Sequence, residues 1–262
     1  MNHTKQEKME AFGRLLDIMD TLREKCPWDH KQTFDSLRTD TIEEVYELAD
    51  AVEKHDLHNI SKELGDVLLH VVFYSKMGEE KNAFDIKDVC DKLCDKLIYR
   101  HPHVYGNVKA TTAGEVVQNW EMLKMKEKDG NKTVLSGVPD ALPSVIKAYR
   151  IQDKARNVGF DWEEREQVWD KVHEEFSELQ TEIKNMDKDK MEQEFGDLFF
   201  SIINAARLYH INPDNALERT NSKFIHRFNY LEAHTIKQGR NLKDMTLAEM
   251  DEIWDEAKKE EK

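Results

Sequence analysis

Apolar residues along this chain recur every three or four positions and nowhere alternate over strand length, so the pattern is that of helices. Phe12, Leu15, Met19 and Leu22 mark a first helix that stops before Cys26-Pro27. Thr41 followed by Glu44 has the form of a capping box opening a second, whose apolar stripe is Ile42, Val45, Leu48, Ala49 and Val52. A third is predicted over His58–Gly78 through Ile60, Leu64, Val67, Leu68 and Val71. Asp85 is placed to cap a fourth, with Val89, Leu93 and Leu97 inside and an end near His101-Pro102; a fifth carries Val116, Trp120 and Leu123.

Breakers then concentrate in Asp129-Gly130-Asn131-Lys132, Ser136-Gly137-Val138-Pro139 and Leu142-Pro143. The domain boundary is expected there, with an N-terminal helical domain over 1–128, a linker over 129–143 and a C-terminal helical domain over 144–262. Beyond it helices are predicted near Ser144–Arg156, Glu163–Lys184, Asp189–His210, Asp214–Gly239 and Thr246–Glu261. The expected fold class is all-α, two tandem helical bundles.

The two halves carry one ordered set of residues twice. Glu43-Glu44-Val45-Tyr46-Glu47 is followed by Glu63-Leu64-Gly65-Asp66, and Glu174-Glu175-Phe176-Ser177-Glu178 by Glu194-Phe195-Gly196-Asp197, at the same interval. Lys96 and Arg100 then answer to Lys223 and Arg227, and Trp120 and Lys124 to Trp254 and Lys258. This is an internal duplication.

On a helix, residues three apart share a face, so Glu44 projects with Glu47 and Glu63 with Asp66. The acids flank the apolar stripes, at the core margin where two antiparallel helices meet. Carboxylates converging there repel unless a cation compensates them, and Mg²⁺, with Mn²⁺ as a substitute, leaves coordination positions open for phosphate oxygens. Glu44, Glu47, Glu63 and Asp66, and Glu175, Glu178, Glu194 and Asp197, are therefore the candidate metal ligands. Gly65 and Gly196 each cost a helix about 1 kcal/mol relative to Ala, and leave room for ions or for close approach of the paired helix. Single acidic pairs such as Asp17 and Asp20 carry no such information; the recurrence does. The Lys–Arg pairs, surface dressing in isolation, become phosphate ligands once a metal site precedes them. Trp120 and Trp254 are equally readable as core residues or as walls stacking near a base.

Composition narrows the partners. With 53 acidic against 39 basic residues the net charge is -14, which argues against nucleic-acid polymers and anionic membranes. The longest apolar run, Val67–Tyr74, is far too short to span a bilayer. Three cysteines make no disulfide framework; Cys90 and Cys94 read as core residues, and a reducing cytoplasm is expected. The ten glycines are isolated, so there is neither a phosphate-binding loop nor a dinucleotide fingerprint, and GxSxG is absent. A di-iron carboxylate bundle wants Glu-x-x-His, and no Glu here stands three residues before a His. His55-Asp56 and His101-Pro102-His103 read as loop surface and helix end. A non-catalytic nucleotide-binding or helical interaction protein is the alternative from another class.

At the duplicated acids the chain resembles the MazG nucleoside triphosphate pyrophosphohydrolases. CPWDHKQT at Cys26–Thr33, RHPHVYG at Arg100–Gly106 and NVGFDW at Asn157–Trp162 extend the resemblance over nearly the whole chain, in the two-domain form. It implies Mg²⁺-dependent cleavage of (deoxy)nucleoside triphosphates between the α- and β-phosphates. The family's metal ligands fall on Glu175, Glu178, Glu194 and Asp197, and its nucleotide contacts on Lys223, Arg227, Trp254, Lys258 and Lys171. Glu43 and Glu174 are candidates for orienting or deprotonating the attacking water, and a homodimer is expected. Apolar residues on more than one stripe, Leu68 to Phe73 and Leu198 to Ile203, likewise ask for more than one partner. The halves differ where Lys171 stands i,i+4 from Glu175 while Asp40 holds that offset from Glu44. The C-terminal site is therefore expected to carry most of the hydrolysis.

Overall fold

The computed structural model describes residues 2–109, 112, 114–116, 119, 123, 133–235 and 239–260. Among them there is no strand; the chain is helical throughout and divides into two compact units, Met1–Leu123 and Lys124–Lys262. None of the described helices is long and apolar enough to cross a membrane.

In the first unit α1 (Lys5–Lys25) begins at a Thr4–Glu7 capping box and ends at Cys26, where Pro27 opens the short α2 (Pro27–Lys31). The centre of the unit is a hairpin of α3 (Arg38–Glu53) and α4 (Leu57–Glu80), with α1 and α5 (Ile86–Arg100) laid against α4. A short α6 (Pro102–Tyr105) follows. The buried core is Met19, Leu37, Val72, Phe73 and Met77. Arg23, itself buried, reaches across it: Nε and Nη2 donate to the Glu80 carboxylate at 2.8 and 2.5 Å, and Nη1 to the carbonyls of Asp29 and Gln32. That fork fixes the Pro27–Lys31 segment to the core.

The second unit repeats the hairpin as α8 (Val168–Asn185) and α9 (Lys188–Leu208), entered through a 3-10 turn, Arg165–Gln167. Helix α7 (Ser144–Arg156) packs on α9 and on α10 (Pro213–Thr235), which pairs with α11 (Leu247–Glu260). The duplication extends to the turns. His55 and Met186, at the same offset, are each left-handed (φ 53° and 57°), and Asp56 and Asp187 next to them cap the following helix.

Three expectations are corrected. Thr41 lies inside α3, which begins at Arg38; its hydroxyl bonds the Leu37 carbonyl, His70 Nδ1 and Tyr74 Oη, so it knits the hairpin together instead of capping it. Cys90 and Cys94 are exposed, as are Leu93 and Leu97, because α5 rests on α4 and buries no residue of its own. Ile42, Val45 and Val52 of the α3 stripe are likewise about half exposed. Each hairpin is apolar on more sides than the chain covers. At Gly65 and Gly196 a Cβ would meet nothing within 4 Å, so these glycines leave open space and not a close helix approach. The fifth predicted helix, with Trp120 and Lys124, lies largely outside the described residues.

Candidate metal and nucleotide site

Each hairpin brings three carboxylates from its two helices together. Ligand oxygens of Glu44, Glu63 and Asp66 lie within 4.8 Å of one another, and so do those of Glu175, Glu194 and Asp197. The i,i+3 spacing of Glu63 and Asp66, and of Glu194 and Asp197, supplies two from one helix, and the short turn folds the third onto them. Glu63 and Glu175 are the buried members, 7% and 8% exposed at the side chain. Glu47 and Glu178 stand outside the triplets, near enough to act on them electrostatically. Burial first, then Asp66, Glu47 and Glu63, pushes the Glu44 carboxyl above its ordinary value, against the pull of Lys62. Burial, then Glu178, Asp197 and Glu175, does the same to Glu194.

The triplets have the chemistry of a hard-cation site. Two oxygens, Glu63 Oε2 and Glu194 Oε2, are buried with no hydrogen-bond partner, and they occupy the same place in the two copies. A buried carboxylate oxygen without a donor is costly, and an oxygen-seeking divalent ion between the three acids would satisfy it.

A lysine already leans on each triplet, but from opposite helices. Lys171 on α8 reaches Glu175 at 2.6 Å and Glu174 at 3.0 Å, which raises its own pKa. In the first unit Lys62 on α4 reaches Glu63 at 2.9 Å and Asp66 at 3.8 Å. At the matching offsets stand Asp40 and Gln193. Lys62 was not legible in the sequence, because it adjoins Glu63 and adjacent positions do not share a helix face. Glu174 is exposed and paired with Lys171; Glu43 is exposed and lines an open polar pocket with Glu47 and Glu63.

The basic and tryptophan positions form their own group. Arg227 lies over the Trp254 ring at 5.8 Å, Phe224 packs on that ring at 5.0 Å, and Lys258 pairs with Asp255. Lys223 is exposed on α10, and Lys96 and Arg100 close α5.

Beside the second triplet opens a cavity of about 690 Å³. Lys171, Glu175 and Asp197 line one part of it, and Phe160, Trp162 and Ile151 are among its apolar walls. Lys223, Arg227, Trp254 and Lys258 do not line it. Asp161, between the two aromatics, is held by the buried Arg207, whose Nη1 donates to it at 3.1 Å; the segment is thereby fixed at the cavity. The cavity floor on α9 includes Ser201 and Asn204. At the same offset on α4 stand His70 and Phe73, both buried, and Tyr74 where α9 has Ala205. Bulky rings thus fill, in the first hairpin, the wall that small residues leave open in the second.

An all-α duplicated hairpin presenting paired carboxylate triplets defines a metal-dependent helical hydrolase architecture. Residues 32–105 and 163–231 match the family described as MazG nucleotide pyrophosphohydrolase domain. The chain is 38% identical over 260 residues to the nucleoside triphosphate pyrophosphohydrolase of Escherichia coli strain K12, covering 97% of this chain and 99% of that one. It is 42% identical over 250 residues to the nucleoside triphosphate pyrophosphohydrolase/pyrophosphatase MazG of Thermotoga maritima, covering 94% and 95%. It also matches an uncharacterized Bacillus subtilis protein, YabN, at 41% over 264 residues, which is 54% of that longer chain. The chain belongs to the MazG nucleotide pyrophosphohydrolase family, and its use of a divalent metal follows from that membership and suits the triplets. Both matched segments enclose a whole carboxylate hairpin.

Proposed function

We propose that the protein hydrolyses (deoxy)nucleoside triphosphates between the α- and β-phosphates, releasing the nucleoside monophosphate and pyrophosphate. Water adds to the α-phosphorus and the bond to the bridging oxygen breaks. The observation that supports this most is the triplet of Glu175, Glu194 and Asp197, with its orphaned oxygen, opening on a cavity large enough for a nucleoside. The names of the two near full-length relatives support the same reading.

In this reading Glu175, Glu178, Glu194 and Asp197 hold Mg²⁺, and Glu44, Glu47, Glu63 and Asp66 are their first-half counterparts. Bound Mg²⁺ supplies charge neutralisation of the polyphosphate and a more acidic water. Lys171 hands Glu175 over to the cation and turns to a phosphate oxygen, where its charge follows the leaving group. Glu174 orients the attacking water, and Glu43 is its counterpart. Lys223, Arg227, Trp254 and Lys258 contact the nucleotide, with Lys96, Arg100, Trp120 and Lys124 matching them. The functional domains are 1–128 and 144–262, joined by 129–143. The protein works as a homodimer, which would cover the apolar hairpin faces the chain leaves exposed.

The test is to incubate the protein with each triphosphate and Mg²⁺ and identify the products. Monophosphate and pyrophosphate are expected, and a chelator should abolish their release. Orthophosphate and nucleoside diphosphate as first products would overturn the reading.

A further inference from the structure

The cavity beside the second triplet has one polar group whose orientation is forced. Gln152, on α7, is 6% exposed, and its Nε2 donates to the Phe200 carbonyl at 2.8 Å. A carbonyl can only accept, so the amide cannot be flipped: its NH₂ faces Phe200 and its Oε1 faces away. Oε1 is buried and meets no donor among the described residues. An acceptor left in that state costs about 1–3 kcal/mol, and native proteins seldom retain one without a use.

A neighbouring wall residue is fixed in the opposite sense. Asn204 Oδ1 accepts from Arg207 Nε at 3.0 Å and Nη2 at 2.9 Å, which leaves its NH₂ as the group to offer a ligand. Arg207 is in turn held by Asp161. The cavity wall therefore presents one acceptor and one donor, each oriented by a second contact, among aromatic and aliphatic surfaces and away from phosphate chemistry of its own.

Resting on the reading that Lys171 and the triplet take the polyphosphate, we propose that Gln152 is the base-reading residue of this chain. Its Oε1 accepts a hydrogen bond from an N–H on the edge of the nucleobase, while the Asn204 amide donates to a lone pair of the same base. Adenine and cytosine present such an N–H on their exocyclic amino groups, and uracil and guanine on their rings. The site then selects for an unblocked base edge and against bases whose N–H has been removed or alkylated. Gln152 does not touch the phosphates and takes no part in bond cleavage.

The experiment measures binding with Mg²⁺, using α,β-methylene triphosphates that cannot be cleaved at the proposed bond. One pair compares adenosine with purine riboside, which lacks the amino group; a second compares uridine with N3-methyluridine. The wild-type chain should bind the donor-bearing member about 10-fold more tightly in at least one pair, the worth of one hydrogen bond. Gln152→Leu should bind both members alike. No preference in either pair, or a preference that survives in Gln152→Leu, overturns the assignment. The wild-type comparison needs no variant, and Gln152→Met repeats the test should the leucine chain fail to fold. Release of pyrophosphate from ATP, measured in parallel, separates the two readings. If pyrophosphate appears while base preference is absent, only the role of Gln152 falls; if no triphosphate binds, both fall.

Discussion

Installing the first hairpin's residue in the second should close the cavity without touching the metal site. Ser201 lines the cavity and its hydroxyl only bonds the Leu198 carbonyl of its own helix turn. The matching residue, His70, is 7% exposed and packed in the first hairpin, where Thr41 bonds its Nδ1 at 2.9 Å. Ser201→His therefore sends an imidazole into space that is empty in the second unit, with no overpacking penalty of the kind seen in closed cores. A base kept out of an apolar pocket forfeits about 1.5–3 kcal/mol of burial, which is roughly 10- to 150-fold in affinity. The assay is the KM for ATP with Mg²⁺, beside the inhibition constant of inorganic tripolyphosphate, which has no base. ATP should weaken by about that factor while tripolyphosphate is unchanged. Unaltered ATP binding would mean that the nucleoside sits elsewhere. Equal losses for both ligands would mean that the substitution had disturbed the phosphate end.

Glu175→Gln with Glu178→Gln should lower kcat/KM on the order of 100-fold or more for every triphosphate, whereas Glu44→Gln with Glu47→Gln should cost far less. Equal losses across all substrates would refute the asymmetry between the halves. The Arg23 hydrogen bond holds the Glu80 carboxyl below its ordinary value, so the pair's contribution to stability is present above the unfolded pKa, roughly 4.3, and lost as pH falls through the lower folded value. Glu80→Gln should thus lower the unfolding midpoint at pH 7 and make no difference in acid below that window; a deficit that persists there would assign it to packing. Light scattering at micromolar concentration should give the mass of a dimer, and a monomeric mass would remove the proposed role for the exposed apolar faces.

Much of this architecture is written in the sequence because it is local. Helix spans follow the apolar period, and the breakers at Pro27, Asp85 and Pro143 act on the residues beside them. The acids were legible because i,i+3 spacing fixes their faces and repetition removes chance. Thr41 was misread because its capping pattern and its actual use, three hydrogen bonds inside the hairpin, begin from the same hydroxyl. Burial was overread at Cys90, Cys94 and Leu93, since an amphipathic stripe states that a partner is wanted and not where it comes from. Lys62, Gln152 and Asn204 escaped for one reason. Each matters through a contact that adjacency or long separation in sequence conceals: a neighbour across a hairpin, a carbonyl 48 residues away, an arginine already committed to Asp161.

The charge argument for unequal halves does not survive in its sequence form. Asp40 in place of Lys171 suggested a first site short of a cation, yet Lys62 restores one from the opposite helix. In their acids, their orphaned oxygens, their turns and their single lysine the two hairpins remain alike. What separates them is volume. His70, Phe73 and Tyr74 complete a hydrogen-bonded, aromatic-rich wall around Thr41, Phe34 and Met77. Ser201, Asn204 and Ala205 forgo that packing, and the second unit keeps a cavity where the first keeps a core. Large-to-small replacements of this kind cost a fold several kcal/mol when nothing fills the space. A duplicated chain that carries that cost in one copy, beside intact metal ligands, has traded core packing for a ligand's place; the copy that kept its rings holds the same acids without room for a nucleoside on that wall.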